Sequence, residues 1–349
     1  MAFIENRRRY RLMFSGGLLI LGVLILITSM MGVADISVEE ALRILTHKLP
    51  FVGSFVDVGD IDQKYINIIW KLRLPRIALA GLVGTGLSVS GAAFQGMFKN
   101  PMADPYVLGV SSGSALGATL ALLFGVGGGI MGLGGTTVMA FVGAIGTIVL
   151  VYSIAKVGNR VPIVSLILAG ISVSYLLSSI ISLMMLFNRA QVEKIVFWLM
   201  GSVSAASWTQ VRLLAPFVAA GVVAITIFSR DLNIMLMGDE TAKGLGVEVE
   251  KVKKILLGVT SLLVGATVAV SGIIGFVGLI IPHTIRLMTG PDNRTLVPFS
   301  ALGGAIFMIV SDTIARTAIP PVEIPVGAIT SVFGAPYFIY LLIKSKKVN

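Results

Sequence analysis

Hydrophobic residues in this chain come in long blocks separated by short polar stretches. Residues 105–155 contain no Lys, Arg, Asp or Glu. A helix needs about 20 apolar residues to cross about 30 Å of hydrocarbon. Ten segments meet that measure: 11–33, 76–98, 107–126, 133–156, 163–187, 207–229, 253–272, 275–290, 297–316 and 324–343. Pro101 and Pro105 interrupt the approach to the third, and Pro282 lies inside the short eighth. Both are therefore expected as irregular helices, tolerated where protein or a water-filled path satisfies the freed backbone groups. Ser37–Leu45 and Gln191–Gly201 read as short amphipathic helices outside the hydrocarbon. The pattern predicts an all-α, polytopic membrane bundle of about ten transmembrane helices. No polar linker divides it, so residues 1–349 are expected to form a single transmembrane domain.

Composition narrows the class. Hydrophobic residues make up 56% of the chain and charged residues 13%, with a mean hydropathy of +0.95. Soluble domains carry about 25% charged residues, so a water-soluble globule of this composition would aggregate. The 40 glycines suit close helix packing in lipid. Cysteine is absent, which excludes a disulfide framework, a thiolate metal site and thiol catalysis.

The net charge of +10 raises the question of nucleic acid. The basic residues sit singly or at the ends of apolar runs, without a basic face interleaved with aromatics, so nucleic acid is not an expected partner. Membrane topology explains them instead. Arg7, Arg8, Arg9 and Arg11 precede a segment long enough to span, and further spans follow, so a retained first helix is expected. The alternative is a signal peptide cleaved near Ala34. With ten spans and a cytoplasmic N-terminus, both termini lie inside. Of the 27 Lys and Arg residues, 17 then fall on the inner side, Lys99, Arg160 and Lys347 among them, which supports this orientation. Against the rule, Lys71, Arg73 and Arg76 cluster outside.

The chain also repeats itself. Leu82-Val-Gly-Thr-Gly-Leu-Ser-Val-Ser-Gly91 recurs 181 residues later as Leu263-Val-Gly-Ala-Thr-Val-Ala-Val-Ser-Gly272, and at the same offset Pro101 matches Pro282 and Gly109 matches Gly290. The copies begin on the second and seventh spans and so run in opposite directions. An inverted internal repeat of this kind places a substrate path between its halves. Those halves are expected at about 71–205 and 253–343, with a cytoplasmic loop at 230–252 between them.

Enzymatic and energy-coupling motifs are sparse. His47 and His283 are the only histidines, and no His-Glu-x-x-His pair or phosphate-binding Gly-x-x-x-x-Gly-Lys-Ser/Thr loop occurs. A lone histidine near a helix break, as His283 is beside Pro282, is more often a structural hydrogen-bond partner than a ligand. Intramembrane acids usually mark ion-coupled carriers. Only Asp312 lies within a span, and Arg316, one turn later, is close enough for an ion pair. An external energy source is therefore expected, with an ATP-independent secondary carrier or channel as the alternative. The lack of Cys, paired His and clustered carboxylates disfavours an intramembrane enzyme.

Residues 71–117 run from Lys-Leu-Arg-Leu-Pro-Arg-Ile through Ser-Gly-Ala-Ala-Phe-Gln-Gly-Met-Phe-Lys-Asn-Pro-Met-Ala-Asp-Pro to Leu-Gly-Val-Ser-Ser-Gly-Ser-Ala-Leu-Gly. This block resembles the iron-siderophore, haem and vitamin B12 uptake permeases of ATP-binding cassette importers. Gly275-Phe-Val-Gly-Leu-Ile-Ile-Pro-His-Thr-Ile-Arg286, Glu323-Ile-Pro-Val-Gly-Ala-Ile-Thr and Gly334-Ala-Pro-Tyr-Phe are similar to later blocks of that family, in the same order. The resemblance implies a multi-pass protein of a prokaryotic cell (inner) membrane, ten helices per subunit, a second permease copy as a homodimer, and no cofactor. It also implies ATP-binding cassette ATPase subunits on the inner face and an extracytoplasmic substrate-binding protein outside.

The resemblance assigns roles residue by residue. Gly238, Asp239, Glu240, Ala242, Lys243, Leu245 and Gly246 match the family's coupling helices; an ordinary solvated loop is the alternative. Arg73, Arg76 and Arg316 match the basic partners of acidic residues on the binding protein, a role suited to the rigid guanidinium fork. The alternatives for them are interfacial snorkelling and, for Arg316, the pair with Asp312. Asn100 and Met102 match the inner gate, against the alternative of a tight interhelical turn. Ferric siderophore, haem and cobamide are not distinguished.

Overall fold

The computed structural model describes residues 7–32, 36–48, 53–127, 133–158 and 161–346. Ala34, Arg160 and Lys347 lie outside them. The helices in chain order are α1 (Arg7–Met30), α2 (Val38–His47), α3 (Gln63–Asn67), α4 (Leu74–Met97), α5 (Val110–Leu123), α6 (Gly135–Ala155), α7 (Ile163–Phe187), α8 (Val192–Leu199), α9 (Trp208–Ile227), α10 (Ser229–Met235), α11 (Asp239–Gly244), α12 (Val249–Ser271), α13 (Val277–Thr289), α14 (Asn293–Thr317) and α15 (Val326–Lys346). Among the described residues seven helical stretches are long and apolar enough to cross a membrane. The shorter apolar helices α5, α13 and α15 complete the ten expected segments. The fold is thus an all-α polytopic bundle.

α4 is its centre. It is apolar around its whole circumference, as a helix must be to sit buried on all sides, and Leu79, Val83, Phe94 and Met97 are sealed from solvent. Around it, α1, α6, α7 and α9 turn Leu19, Val142, Leu168 and Val223 outward, the apolar exterior that lipid requires. Lipid tails are as apolar as leucine, so close backbone packing and interhelical hydrogen bonds must hold such helices together. Gly84 shows how. A Cβ placed on it would lie 2.0 Å from the carbonyl oxygen of Gly304, and one on Gly304 would lie 2.2 Å from that of Gly84. This approach of α4 to α14 lets the Ser88 hydroxyl donate to Ser300 O at 2.6 Å and that of Thr85 to Ala301 O at 3.1 Å.

Both halves of the bundle contain a long helix, a break and a short helix. After α4, Lys99 adopts a left-handed φ of 52°. Asn100 Oδ1 then accepts the Met102 amide, and Asp104 caps a 3₁₀ turn at Pro105–Leu108. Gly109, at φ 76°, starts α5. After α12, Gly272 and Phe276 take φ 68° and 69°, and α13 follows. The two breaks meet: the Tyr106 hydroxyl donates to Ile274 O at 2.9 Å and Gln95 Nε2 to Leu279 O at 3.0 Å. Asp239 bonds Lys99, at the end of α4, and Lys253, near the start of α12. One side chain thus joins opposite helix ends, and the two long helices run antiparallel, as an inverted repeat requires.

Past the shared stretch the copies part. Gly91 lies inside α4, whereas its match Gly272 ends α12. Pro101 stands in the turn before α5, while Pro282 is carried inside α13. A second difference concerns the buried acid. Asp312 pairs with Arg76 of α4 at 2.9 Å, not with Arg316, because the packing of α4 on α14 brings a guanidinium directly against it. Arg316 turns instead to Thr28 O.

The bundle has two distinguishable faces. α1 begins where the Tyr10 hydroxyl meets Thr289 O, and ends where Arg73 meets Ser29 O and Met30 O. The second face carries a small layer. α2 opens with a Ser37–Glu40 capping box, and Ala41 and Ile44 pack against Ile36, Ile61 and Ile69.

Replacing Gly84 by Ala puts a methyl group inside the α4–α14 contact and is expected to destabilise by about 1–3 kcal/mol. Gly16→Ala, at a site with nothing within 4 Å, should be neutral or slightly stabilising. Thermal unfolding of the two purified variants in one detergent checks this ordering.

Candidate functional site

At the face where α1 ends, four cations gather around a cleft of about 520 Å³: Lys64, Arg73, Arg76 and Arg316, with Glu323 on the same wall. A π-helical turn at Ile68–Arg73 precedes α4, a local geometry frequent at functional sites. Arg73 Nη1 donates to Ser29 O at 2.7 Å and Met30 O at 2.9 Å, and Arg316 donates to Thr28 O. Two guanidiniums thus satisfy carbonyls at the C-terminal end of α1, where a helix leaves acceptors without partners and favours positive charge. Arg76 is enclosed by carboxylates. Its Nε and Nη2 donate to Asp312 at 2.9 and 3.0 Å, and its Nη1 to both oxygens of Glu323 at 3.0 Å.

The fold therefore brings Arg73, Arg76 and Arg316 into one cleft from positions 243 residues apart in the sequence. Arg73 and Arg76 are buried, however, and each already holds internal partners. Glu323 was missed by the sequence reading. It sits in a Pro-rich stretch, and nothing local shows that it faces α4.

The opposite face carries the loop 230–252. Gly238 at φ 117° and Gly246 at φ 88° bracket α11, conformations that L side chains rarely adopt and glycine takes freely. Ala242 is the wholly buried residue of the helix, whereas Met237 and Leu245 are 68% and 61% exposed. Asp239 is the anchor: Lys99 Nζ reaches Oδ1 at 2.6 Å and Lys253 Nζ reaches Oδ2 at 2.5 Å. Partial burial alone would raise its carboxyl pKa, but the bonds from Lys253 and Lys99 outweigh that and hold it below the usual value. Lys243 pairs with Glu240 on the helix surface.

A second anchor lies one helix earlier. Asn233 of α10 donates to Asp292 at 2.7 Å and accepts from the amide and side chain of Asn293, both at 2.8 Å. Asp292 is held below its usual pKa by Arg294 and Asn233, which overcome its partial burial. The loop is thus fastened to the end of α4 and to the starts of α12 and α14. Lys99, Lys253, Asn233 and Asp292 were not singled out from sequence, because their pairing spans up to 140 residues.

Asn100 and Met102 lie on the same face, immediately after Lys99; Asn100 is exposed and Met102 half-buried. The Nδ1 of His283 meets no hydrogen-bond partner among the described residues. Among those residues no cluster of His, Asp and Glu could hold a metal ion.

An apolar bundle with paired helix breaks at its centre, a fastened loop on one face and a cationic cleft on the other defines a membrane-embedded transport permease. The chain belongs to the FecCD transport family, whose match covers residues 18–344. It is 42% identical to the cobalamin import system permease protein BtuC of Halobacterium salinarum over 79% of this chain and 73% of that protein. It is 38% identical to the hemin transport system permease protein HmuU of Yersinia pestis, over 80% and 84%. A solved structure described as an inward-facing conformation of a transporter assigned to the metal-chelate ABC type matches with a TM-score of 0.81 at 33% identity, covering 95% of this chain and 99% of that one.

The lowered pKa of Asp239 has a signed consequence. Its stabilisation of α11 is complete above its ordinary value of 3.8 and is lost as pH falls below it through the depressed folded value. Hydrogen exchange at amides 239–246, corrected for intrinsic rates, should accelerate below about pH 4 in the native chain. In Asp239→Asn it should be fast at every pH.

Proposed function

We propose that this chain is the membrane-spanning subunit of an ATP-binding cassette importer that moves an iron chelate (a ferric siderophore or haem) or cobalamin across a prokaryotic cell membrane. Two copies form the conduit, with repeat halves at about 71–205 and 253–343 in each. Both termini and the loop 230–252 face the cytoplasm. There the surface from Gly238 to Gly246 receives the ATPase subunits, which supply the nucleotide chemistry, and Asn100 and Met102 line the inner gate. Arg73, Arg76 and Arg316 on the outer face receive an acidic surface of the substrate-binding protein.

The observation that carries this reading is the loop around α11. Met237 and Leu245 expose apolar surface at a polar face, which suits a protein partner, while Asp239 ties the helix to Lys99 beside the gate segment and to Lys253 of the other repeat. A push on α11 therefore reaches both halves through two charge-assisted bonds. Family membership supports the same reading, and the relatives named for cobalamin and hemin support the cargo class.

Vesicles carrying the permease, its ATPase and a loaded binding protein should accumulate cargo only with ATP. The permease alone should not, and accumulation against a gradient by this chain without the ATPase would replace the importer with a secondary carrier. Asp239→Asn in the full complex is expected to retain ATP hydrolysis while uptake falls about tenfold or more, a loss of the order of one or two charged hydrogen bonds. Parallel assays of phosphate release and labelled cargo read the two quantities separately.

A further inference from the structure

The cationic cleft holds its own acid. Arg76 spends Nε and Nη2 on Asp312 and Nη1 on Glu323, so all three of its nitrogens are engaged. The two carboxylates differ in kind. Asp312 belongs to the long helix α14 and its side chain is 4% exposed; Glu323 belongs to the connection between α14 and α15 and its side chain is 48% exposed. Asp312 is thus fixed beneath Arg76, whereas Glu323 covers it from the open side. Lys64, Arg73, Arg76 and Arg316 line the cleft together with Glu323. Arg316 Nε has no acceptor among the described residues and is closed to solvent, so the donor that an incoming acid contests is Arg76 Nη1, beneath Glu323.

Glu323 also has somewhere to go. It lines a second cleft of about 500 Å³ that includes Lys194, Ser204 and Gln210. Its backbone neighbours tie it to the bundle: Ile324 N donates to Ala315 O at 3.0 Å, and Gly327 N, in the first turn of α15, donates to Gly201 O at 3.3 Å. Whatever moves Glu323 therefore acts at the junction of α14, α15 and the 201–204 turn.

We infer that Glu323 is a built-in stand-in for the docking partner's acid: it occupies Arg76 in the undocked permease and is displaced into the adjoining cleft when a carboxylate of a docked protein takes its place. Docking then breaks the Arg76–Glu323 link between α4 and the start of α15, and the exchange reports the partner's arrival to the membrane helices. The exchange is nearly balanced, one carboxylate for another on the same guanidinium, so it costs the partner little and releases the clamp only when an acid of the right reach is present. This inference rests on the docking reading of the arginine cleft.

The test uses the complete permease–ATPase complex in nanodiscs and the purified binding protein that sustains uptake through it. Glu323→Gln removes the competitor and should tighten binding about fivefold, the worth of a half-exposed ion pair. Glu323→Asp, with a shorter reach, should tighten it less, and serves if the Gln variant does not assemble. Because the chain has no cysteine, a fluorophore on Val322→Cys reports the segment. Its emission should change on docking in the native background and stay constant in Glu323→Gln. Unchanged or weaker binding by Glu323→Gln, or an emission change that persists in it, overturns the inference while Arg76→Ala and Arg316→Ala still weaken docking. If those two arginine variants leave affinity intact, the docking reading itself fails and the inference falls with it.

Discussion

Hydrocarbon offers no hydrogen-bond partner to an amide or a carbonyl, and this constraint organises the whole molecule. A helix crossing lipid can stop halfway only where protein supplies the missing partners. The two breaks in this chain therefore lie against each other and against α4, and not at the periphery. Tyr106 supplies a donor to Ile274, Gln95 one to Leu279, and the Ser202 amide one to Ser271 O at 2.7 Å. Backbone contact of the Gly84–Gly304 kind brings the helices near enough for side chains as short as serine to bridge them.

The same accounting explains the charges. A guanidinium or carboxylate within a span is costly unless paired, and several such groups find partners at one helix end. There Asp312 meets Arg76, while Arg73 and Arg316 cap the carbonyls that end α1. The opposite face uses ion pairs differently. Lys99, Asp239 and Lys253 lie at partly exposed positions, where a pair adds little stability but fixes geometry. One carboxylate thereby fastens a short helix to two antiparallel halves.

The relatives are named for cargoes as different as cobalamin and hemin, while the bundle of this chain is apolar and poor in charge. A conduit of this kind has few groups with which to select. In the proposed scheme, selection therefore falls to the binding protein, and the permease retains the mechanical elements: breaks, fastened loop and cleft.

Block hydropathy alone located all ten helical segments, because a span of about 20 residues has to be apolar whatever it packs against. The inverted arrangement was also legible, through the match of Leu82–Gly91 with Leu263–Gly272. Identical letters did not ensure identical structure, since Gly91 continues a helix that Gly272 terminates. Arg73, Arg76, Arg316 and Asp239 stood out in the sequence as residues. Their partners did not. Helical spacing puts Arg316 within reach of Asp312, yet tertiary packing gives Asp312 to Arg76, 236 residues away, and places Glu323 on the same guanidinium. Hydrophobicity is a property of a segment and can be read along the chain, whereas the partner of a charge is a property of the space between helices and exists only once they have packed.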